Sequence, residues 1–293
     1  MTANGATYGV RDEYSFLRRV LVRRPGHEFA NMEQYGLWGY PGKPDLVKAQ
    51  AEHDEFTSIL KREGVDVIQQ EEVHPDKREP MFTRDSSVMT PEGAILCRSG
   101  NPLRRGEEEY SARVYKALGI PVIHAIDGEG TLDGGDTLWL DPDTFLVGHS
   151  YRTNHEGYRQ LRSAMEGSCV KRVIQIPLPH YTGPSYLIHL MSLISPVDRD
   201  LAVVHTRYAP IILLELLKER GIDWIEVPDG EFRLGPNVLA ISPRNVVIHA
   251  GNPVTKRRME ERGCRVHEYK GEQISDIPCG GPTCLTRPIL RSA

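Results

Sequence analysis

Leu138-Trp139-Leu140-Asp141-Pro142-Asp143-Thr144-Phe145-Leu146 reads as two short apolar strands joined by a proline-led turn. The same pattern recurs three times. It appears at Val88-Met89-Thr90-Pro91-Glu92-Gly93-Ala94-Ile95-Leu96, and from Leu193-Ile194-Ser195-Pro196 through Leu201-Ala202-Val203-Val204. Leu239-Ala240-Ile241-Ser242-Pro243-Arg244-Asn245-Val246-Val247 is the last copy. The four prolines lie 51, 54 and 47 residues apart. A period of that length marks a repeated supersecondary unit that buries its apolar face against its neighbours.

The stretches between the hairpins complete the unit. Residues 45–63 carry apolar positions at Leu46, Val47, Ala51, Phe56, Ile59 and Leu60, spaced for a helix that Gly64 would end. Helices are also predicted over 106–118, 154–166, 209–219 and 255–262. Short apolar strands follow these five helices at 65–68, 120–123, 173–176, 222–227 and 265–269. Such alternation is the signature of an α/β fold. A further strand at Val20-Leu21-Val22, stopped by Arg24-Pro25-Gly26, lies at one end of the chain and Cys284 near the other. Together they could make a fifth unit and close a ring, which leaves no loose sheet edge. Residues 27–45 form a long aperiodic loop in which Trp38-Gly39-Tyr40-Pro41 is a candidate lid.

Composition narrows the function. The 293 residues are 39% hydrophobic and 26% charged, as in an ordinary globular protein, and one domain over 1–293 is expected. A net charge of −4 lacks the basic surface that nucleic acid requires. No apolar run reaches the length of a membrane span, and Met1 to Gly9 is too polar for a secretory leader. The five cysteines are scattered, with no Cys-x-x-Cys pair, so neither a disulfide framework nor a zinc site is expected and a reducing cytoplasm suits them. A homo-oligomer is compatible with this composition.

A polar residue precedes each hairpin at nearly the same offset. Asp85, Asp136 and Asn237 stand six residues before their prolines, and His189 stands seven before Pro196. In a pseudo-symmetric ring these positions converge on the axis, where Cys284 would meet them. Taken singly, each has an ordinary explanation: a turn-capping aspartate, a satisfied core histidine, a small buried thiol. Taken jointly they do not resemble a core, because Asp and His are seldom buried without partners. Asp133-Gly134-Gly135-Asp136 adds a second carboxylate beside a glycine pair, and Gly280-Gly281-Pro282 fixes the backbone just ahead of Cys284.

At this point the chain resembles the guanidino-group-modifying enzymes: arginine deiminases, dimethylarginine dimethylaminohydrolases and amidinotransferases. Gly130-Thr131-Leu132-Asp133-Gly134-Gly135-Asp136 through Arg152-Thr153-Asn154 is similar to the dimethylaminohydrolase branch. Phe82-Thr83-Arg84-Asp85 and Gly280-Gly281-Pro282-Thr283-Cys284 are more similar to the deiminases. The resemblance implies a five-bladed α/β propeller, the pentein fold, of ββαβ repeats. It implies Cys284 as nucleophile, His189 as acid and base, and Asp133 as its carboxylate partner, all catalytic. Asp85, Arg152, Arg105, Asp136 and Asn237 would bind substrate, with the arginines on a carboxylate. Placement of Arg104 or Arg105 on the surface is the alternative to that part. The implied partner is a small guanidino compound, arginine or an ω-modified arginine, with no metal and no cofactor. Met191 stands where deiminases carry an acid two residues after the histidine, which puts plain arginine deimination in question. An amidinotransferase and a non-catalytic binding protein on the same fold are the alternatives.

Overall fold

The computed structural model describes residues 5–30, 35–72, 77, 79–184 and 187–292, and at 37 and 38 the backbone alone. Its strands form five separate three-stranded sheets. In the first unit β3 (Ser87–Met89) and β4 (Ala94–Leu96) make an antiparallel hairpin. The chain then passes through α3 (Glu107–Ala117) and returns as β5 (Val122–Ala125), parallel to β4. The second unit repeats this with β6 (Thr137–Asp141), β7 (Thr144–His149), α4 (His155–Ala164) and β8 (Arg172–Pro177). The third uses β9 (Ile194–Asp198), β10 (Leu201–Val204), α5 (Ile211–Glu219) and β11 (Asp223–Glu226). The fourth uses β12 (Leu239–Ser242), β13 (Asn245–His249), α6 (Pro253–Glu261) and β14 (Arg265–Tyr269). The fifth is assembled from both ends of the chain. β15 (Arg287–Ser292) pairs antiparallel with β1 (Phe16–Val22), and α2 (Leu46–Arg62) leads to β2 (Asp66–Gln69), parallel to β1. A four-residue helix α1 (His27–Ala30) follows β1.

Burial explains why the hairpin strands read as unbroken apolar runs. Both faces of each are covered, and in every unit but the first alternate residues enter different clusters. Leu138, Leu140 and Leu146 pack with Ile194, Ala202 and Val204 of the third unit. Trp139, Phe145 and Val147 of the same two strands pack instead with Val88, Ile95 and Leu21. Val197, Leu201 and Val203 meet Ala240, Val246 and Ile248, and Leu239, Ile241 and Val247 meet Val20 and Val22. The clusters thus link each sheet to the next in sequence and the fourth back to the fifth. Each fully buried Leu, Ile or Val side chain in them contributes about 1.5–3 kcal/mol.

Local signals set the helix starts. Asp45 and Asn154 cap α2 and α4 by accepting Lys48 N and Gly157 N at 3.1 and 2.8 Å, and Pro253 occupies the first turn of α6. One turn expectation is corrected. Pro196 lies inside β9, opposite Ala202, and the chain reverses at Arg199-Asp200 instead. β9 is the edge of its sheet, a place where a missing N–H is tolerated. Among the described residues no helix is long and apolar enough to cross a membrane.

Candidate active site

The first strand of every sheet is entered from the same kind of irregular turn. Asp85 stands two residues before β3, and the Gly134–Asp136 turn runs directly into β6. His189 starts the short turn before β9, Asn237 stands two residues before β12, and Cys284 three before β15. Asp85, His189, Asn237 and Cys284 line one cavity of about 250 Å³, with Arg152, Arg104 and Glu79. Asp133 is fully buried against its wall, within ion-pair distance of two of these groups.

The glycine pair makes this closeness possible. A side chain on Gly134 would begin 2.0 Å from the Arg84 carbonyl, and one on Gly135 would begin 2.7 Å from Asp85 Oδ1 and 2.9 Å from His189 Nδ1. Close approach, not left-handed backbone, is what these glycines supply. Gly135 N also donates to Asp85 Oδ1 at 2.9 Å. The same holds before Cys284, where side chains at Gly280 and Gly281 would strike Phe82 and Asn237.

Asp133 Oδ2 lies 3.3 Å from Arg152 Nη1 and 3.5 Å from His189 Nε2. Asp133 Oδ1 and His189 Nε2 are buried without a hydrogen-bond partner among the described residues. Burial opposes charge on both groups. The contact with His189 and the charge of Arg152 nonetheless hold Asp133 well below the usual carboxylate range. Burial works against the imidazolium of His189, but Asp136, Asp133 and Asp85 outweigh it and push its pKa up to about 9. Cys284 moves the other way for a thiolate. Burial and the Asp85 charge push it up to about 11, only partly offset by the Gly281 N–H and Asn237. At neutral pH the site therefore holds a protonated thiol beside an imidazolium.

Asn237 Oδ1 accepts from Thr283 N and Thr283 Oγ1 at 3.0 and 2.8 Å, and its Nδ2 points at Cys284 Sγ from 3.3 Å. Arg84, 1% exposed, donates Nε to Thr283 O and its backbone N to Cys284 O. Both residues hold the cysteine loop. Arg84 carried no sign of this in the sequence, since its partners are some 200 residues away.

Three expectations about substrate binding change. Asp136 does not face the cavity. It is fully buried, accepts Ser150 Oγ, Thr153 Oγ1 and Leu190 N, and burial pushes it up to about 6. It therefore pins the backbone beside His189. Asn237 lines the cavity but spends its amide on the cysteine loop. Arg105 turns aside, donating Nε to Ser99 O, and Arg104 takes the wall position. Arg104 is buried, with Nη1 on Asp85 Oδ2 at 2.5 Å and Nε and Nη2 on Glu107 Oε2. Glu79, missed in the sequence, reaches the same cavity and accepts Tyr40 Oη at 2.8 Å. Gly39 and Tyr40 of the candidate lid line the cavity, and Tyr40 is held as buried wall, while the Trp38 side chain lies outside the described residues. Met191 is buried in the apolar cluster between the second and third units.

Ligand atoms of Asp85, Asp133 and His189 lie within 4.8 Å of one another, close enough to embrace a cation. With a thiol and an imidazolium on one cavity and an unpartnered carboxylate oxygen buried behind its wall, the arrangement suits nucleophilic attack on a flat cationic carbon.

The profile of the family described as arginine deiminase matches residues 75–210 and 208–291. The N(G),N(G)-dimethylarginine dimethylaminohydrolase of Pseudomonas aeruginosa is 29% identical over 277 residues, spanning 92% of this chain and 98% of that one. The citrulline complex of the Pseudomonas aeruginosa enzyme superposes with a TM-score of 0.77 at 22% identity, over 92% of this chain and 98% of that one. SxtG, an amidinotransferase from Microseira wollei in saxitoxin biosynthesis, gives 0.79 at 18% identity, covering 98% of both chains. The fold is thus the mixed α/β fold of those proteins. The chain belongs to the arginine deiminase family of guanidino-group-modifying enzymes.

Proposed function

We propose that this protein is a cysteine-dependent hydrolase of the guanidino group of arginine or an ω-modified arginine, releasing ammonia or an amine and leaving citrulline. One observation carries the reading. Entry turns of separate sheets deliver Cys284, His189 and Asp85 to one cavity beside Asp133, whose Oδ1 has no partner among the described residues. Of the relatives named above, the dimethylarginine dimethylaminohydrolase and its citrulline complex support the same chemistry, while the amidinotransferase SxtG is the ground for the transferase alternative. The five sheets, linked in cyclic order by their apolar clusters, are the blades of an α/β propeller forming one domain over 1–293. A reducing cytoplasm is its natural setting, because Cys284 must stay a thiol.

The guanidinium binds with its N–H groups on Asp133 Oδ1 and Asp85, by charge-assisted hydrogen bonds. Its positive charge lowers the Cys284 pKa from about 11, and the thiol proton passes to water. Sγ attacks the central carbon. His189, protonated below about pH 9, gives its proton to the departing nitrogen, and the C–N bond breaks to leave a covalent thiouronium. Neutral His189 then takes a proton from water, and the resulting hydroxide attacks. As the C–S bond breaks to return the thiolate, the new hydroxyl gives its proton to solvent and becomes the ureido carbonyl. Arg152 takes the substrate carboxylate.

Cys284→Ala should lose turnover while keeping its thermal midpoint; retention of a tenth of the activity overturns the nucleophile. His189→Ala should accumulate the adduct by intact mass, and ordinary release of product counts against its acid–base role. A time course with an amine present tests the transferase alternative. A new guanidino product without citrulline replaces the hydrolase reading.

A further inference from the structure

The part of the pocket beyond the guanidine site is poorly furnished for an amino-acid head. Arg104 has each of its three nitrogens committed, to Asp85, to Glu107 and to the carbonyls of Glu79 and Phe82. Arg233, at the rim, donates Nε to Cys279 Sγ and Nη2 to Asp276 O. Arg152 is left as the one cation in the wall that the geometry above offers to a carboxylate, and it also serves Asp133.

Apart from Glu79 and Ser192, the remaining lining away from the guanidine site is mostly apolar. Tyr181, Phe232, Leu234 and Ile277 face the cavity from loops outside the repeat pattern. Tyr181 is 40% exposed and holds a left-handed backbone at φ 53°, which a bulky residue rarely adopts without a reason. Its ring meets Phe232 edge-on at 5.6 Å and Tyr208 at 5.4 Å, and Phe232 is backed in turn by Tyr208 and the buried His205 at 4.8 and 4.4 Å. Four rings from three loops thus build a preformed wall whose front pair, Tyr181 and Phe232, borders the site.

We infer that this wall carries the arm of the substrate, so that the enzyme also takes N-alkylguanidines that lack an α-amino-acid head. The methylenes of an arginine would lie on the same surface. The inference rests on the proposed guanidine site and extends it.

A linear series from methyl- to hexylguanidine tests it, with binding read by calorimetry on Cys284→Ala and turnover on the unaltered enzyme. Affinity should climb about fourfold per methylene, the value of burying one such group. Tyr181→Ala and Phe232→Ala should flatten that slope while methylguanidine is bound as before. Tyr181→Gln, which keeps the bulk but wets the wall, should flatten it too and guards against a misfolded alanine variant. A flat slope in a protein that consumes arginine or methylguanidine overturns this inference and leaves the guanidine site standing. If no guanidine is bound or consumed, both fall.

Discussion

Asp85 and Asp133 approach the same cavity, and the fold treats them in opposite ways. Asp85 is fully engaged: Oδ1 accepts the Gly135 amide at 2.9 Å and Oδ2 accepts Arg104 at 2.5 Å. Asp133 has longer contacts, 3.3 and 3.5 Å, on Oδ2 alone, and its Oδ1 has no partner among the described residues. A buried carboxylate oxygen left unpaired is costly to the folded state. The difference separates two jobs. Asp85 meets the guanidinium with a charge already shared with Arg104, and Asp133 brings an oxygen with no other partner among the described residues to the cation that arrives with the substrate.

The largest effect that can break this comparison is on turnover at Asp133. Asp133→Asn keeps the shape but cannot hold an imidazolium or grip a guanidinium as a charge. The rate constant kcat should fall about 10³-fold, within the range for loss of a positioned acid–base group. Stability at neutral pH should fall, because a carboxyl held below its ordinary range by His189 and Arg152 favours the folded state in its charged form. Steady-state kinetics together with a urea titration decide it. A loss under tenfold would make Asp133 the structural member of the pair.

Asp85→Asn should show a different balance. Arg104 would keep Glu107 and the nearby Glu79, 3.7 Å away, but lose its shortest contact. A cost of about 2 kcal/mol in urea denaturation is expected, in line with leaving a buried charged group short of a partner. Turnover should fall less than in Asp133→Asn. Equal losses of turnover in the two variants would erase the distinction.

This asymmetry was not legible in the sequence, where both residues read as carboxylates ahead of a strand. The repeat itself was legible, because buried strands make dense apolar runs and the helices between them keep their spacing. Four of the site positions followed, since pseudo-symmetry places entry turns together. What failed depended on partners distant in the chain. Arg104 and Arg105 are adjacent and chemically identical, and only the carboxylate at Asp85, 19 residues earlier, selects Arg104 for the wall. Asp136 had the right offset, yet Ser150 and Thr153 draw its carboxylate away from the cavity. Tyr181 and Phe232 lie on aperiodic loops, where no spacing rule announces a shared face.

Asp136 provides the smallest and most selective test. It leads the charges that raise His189, after burial, which opposes them. Asp136→Asn keeps hydrogen-bonding capacity beside Leu190 but removes that charge, so the His189 pKa should fall from about 9 toward its ordinary value. Catalysis needs the imidazolium to release the amine, so the alkaline limb of kcat should move to lower pH with little loss at its optimum. Stability should follow the same sign. A histidine raised from 6.5 to about 9 in the folded state contributes stability that is complete below pH 6.5 and is lost as pH rises through 9. In Asp136→Asn that decline should still begin near pH 6.5 but be smaller and end at lower pH, as read by thermal midpoints across the range. An unmoved alkaline limb would show that Asp133 and Asp85, the carboxylates on the cavity side, set the charge of His189 without Asp136.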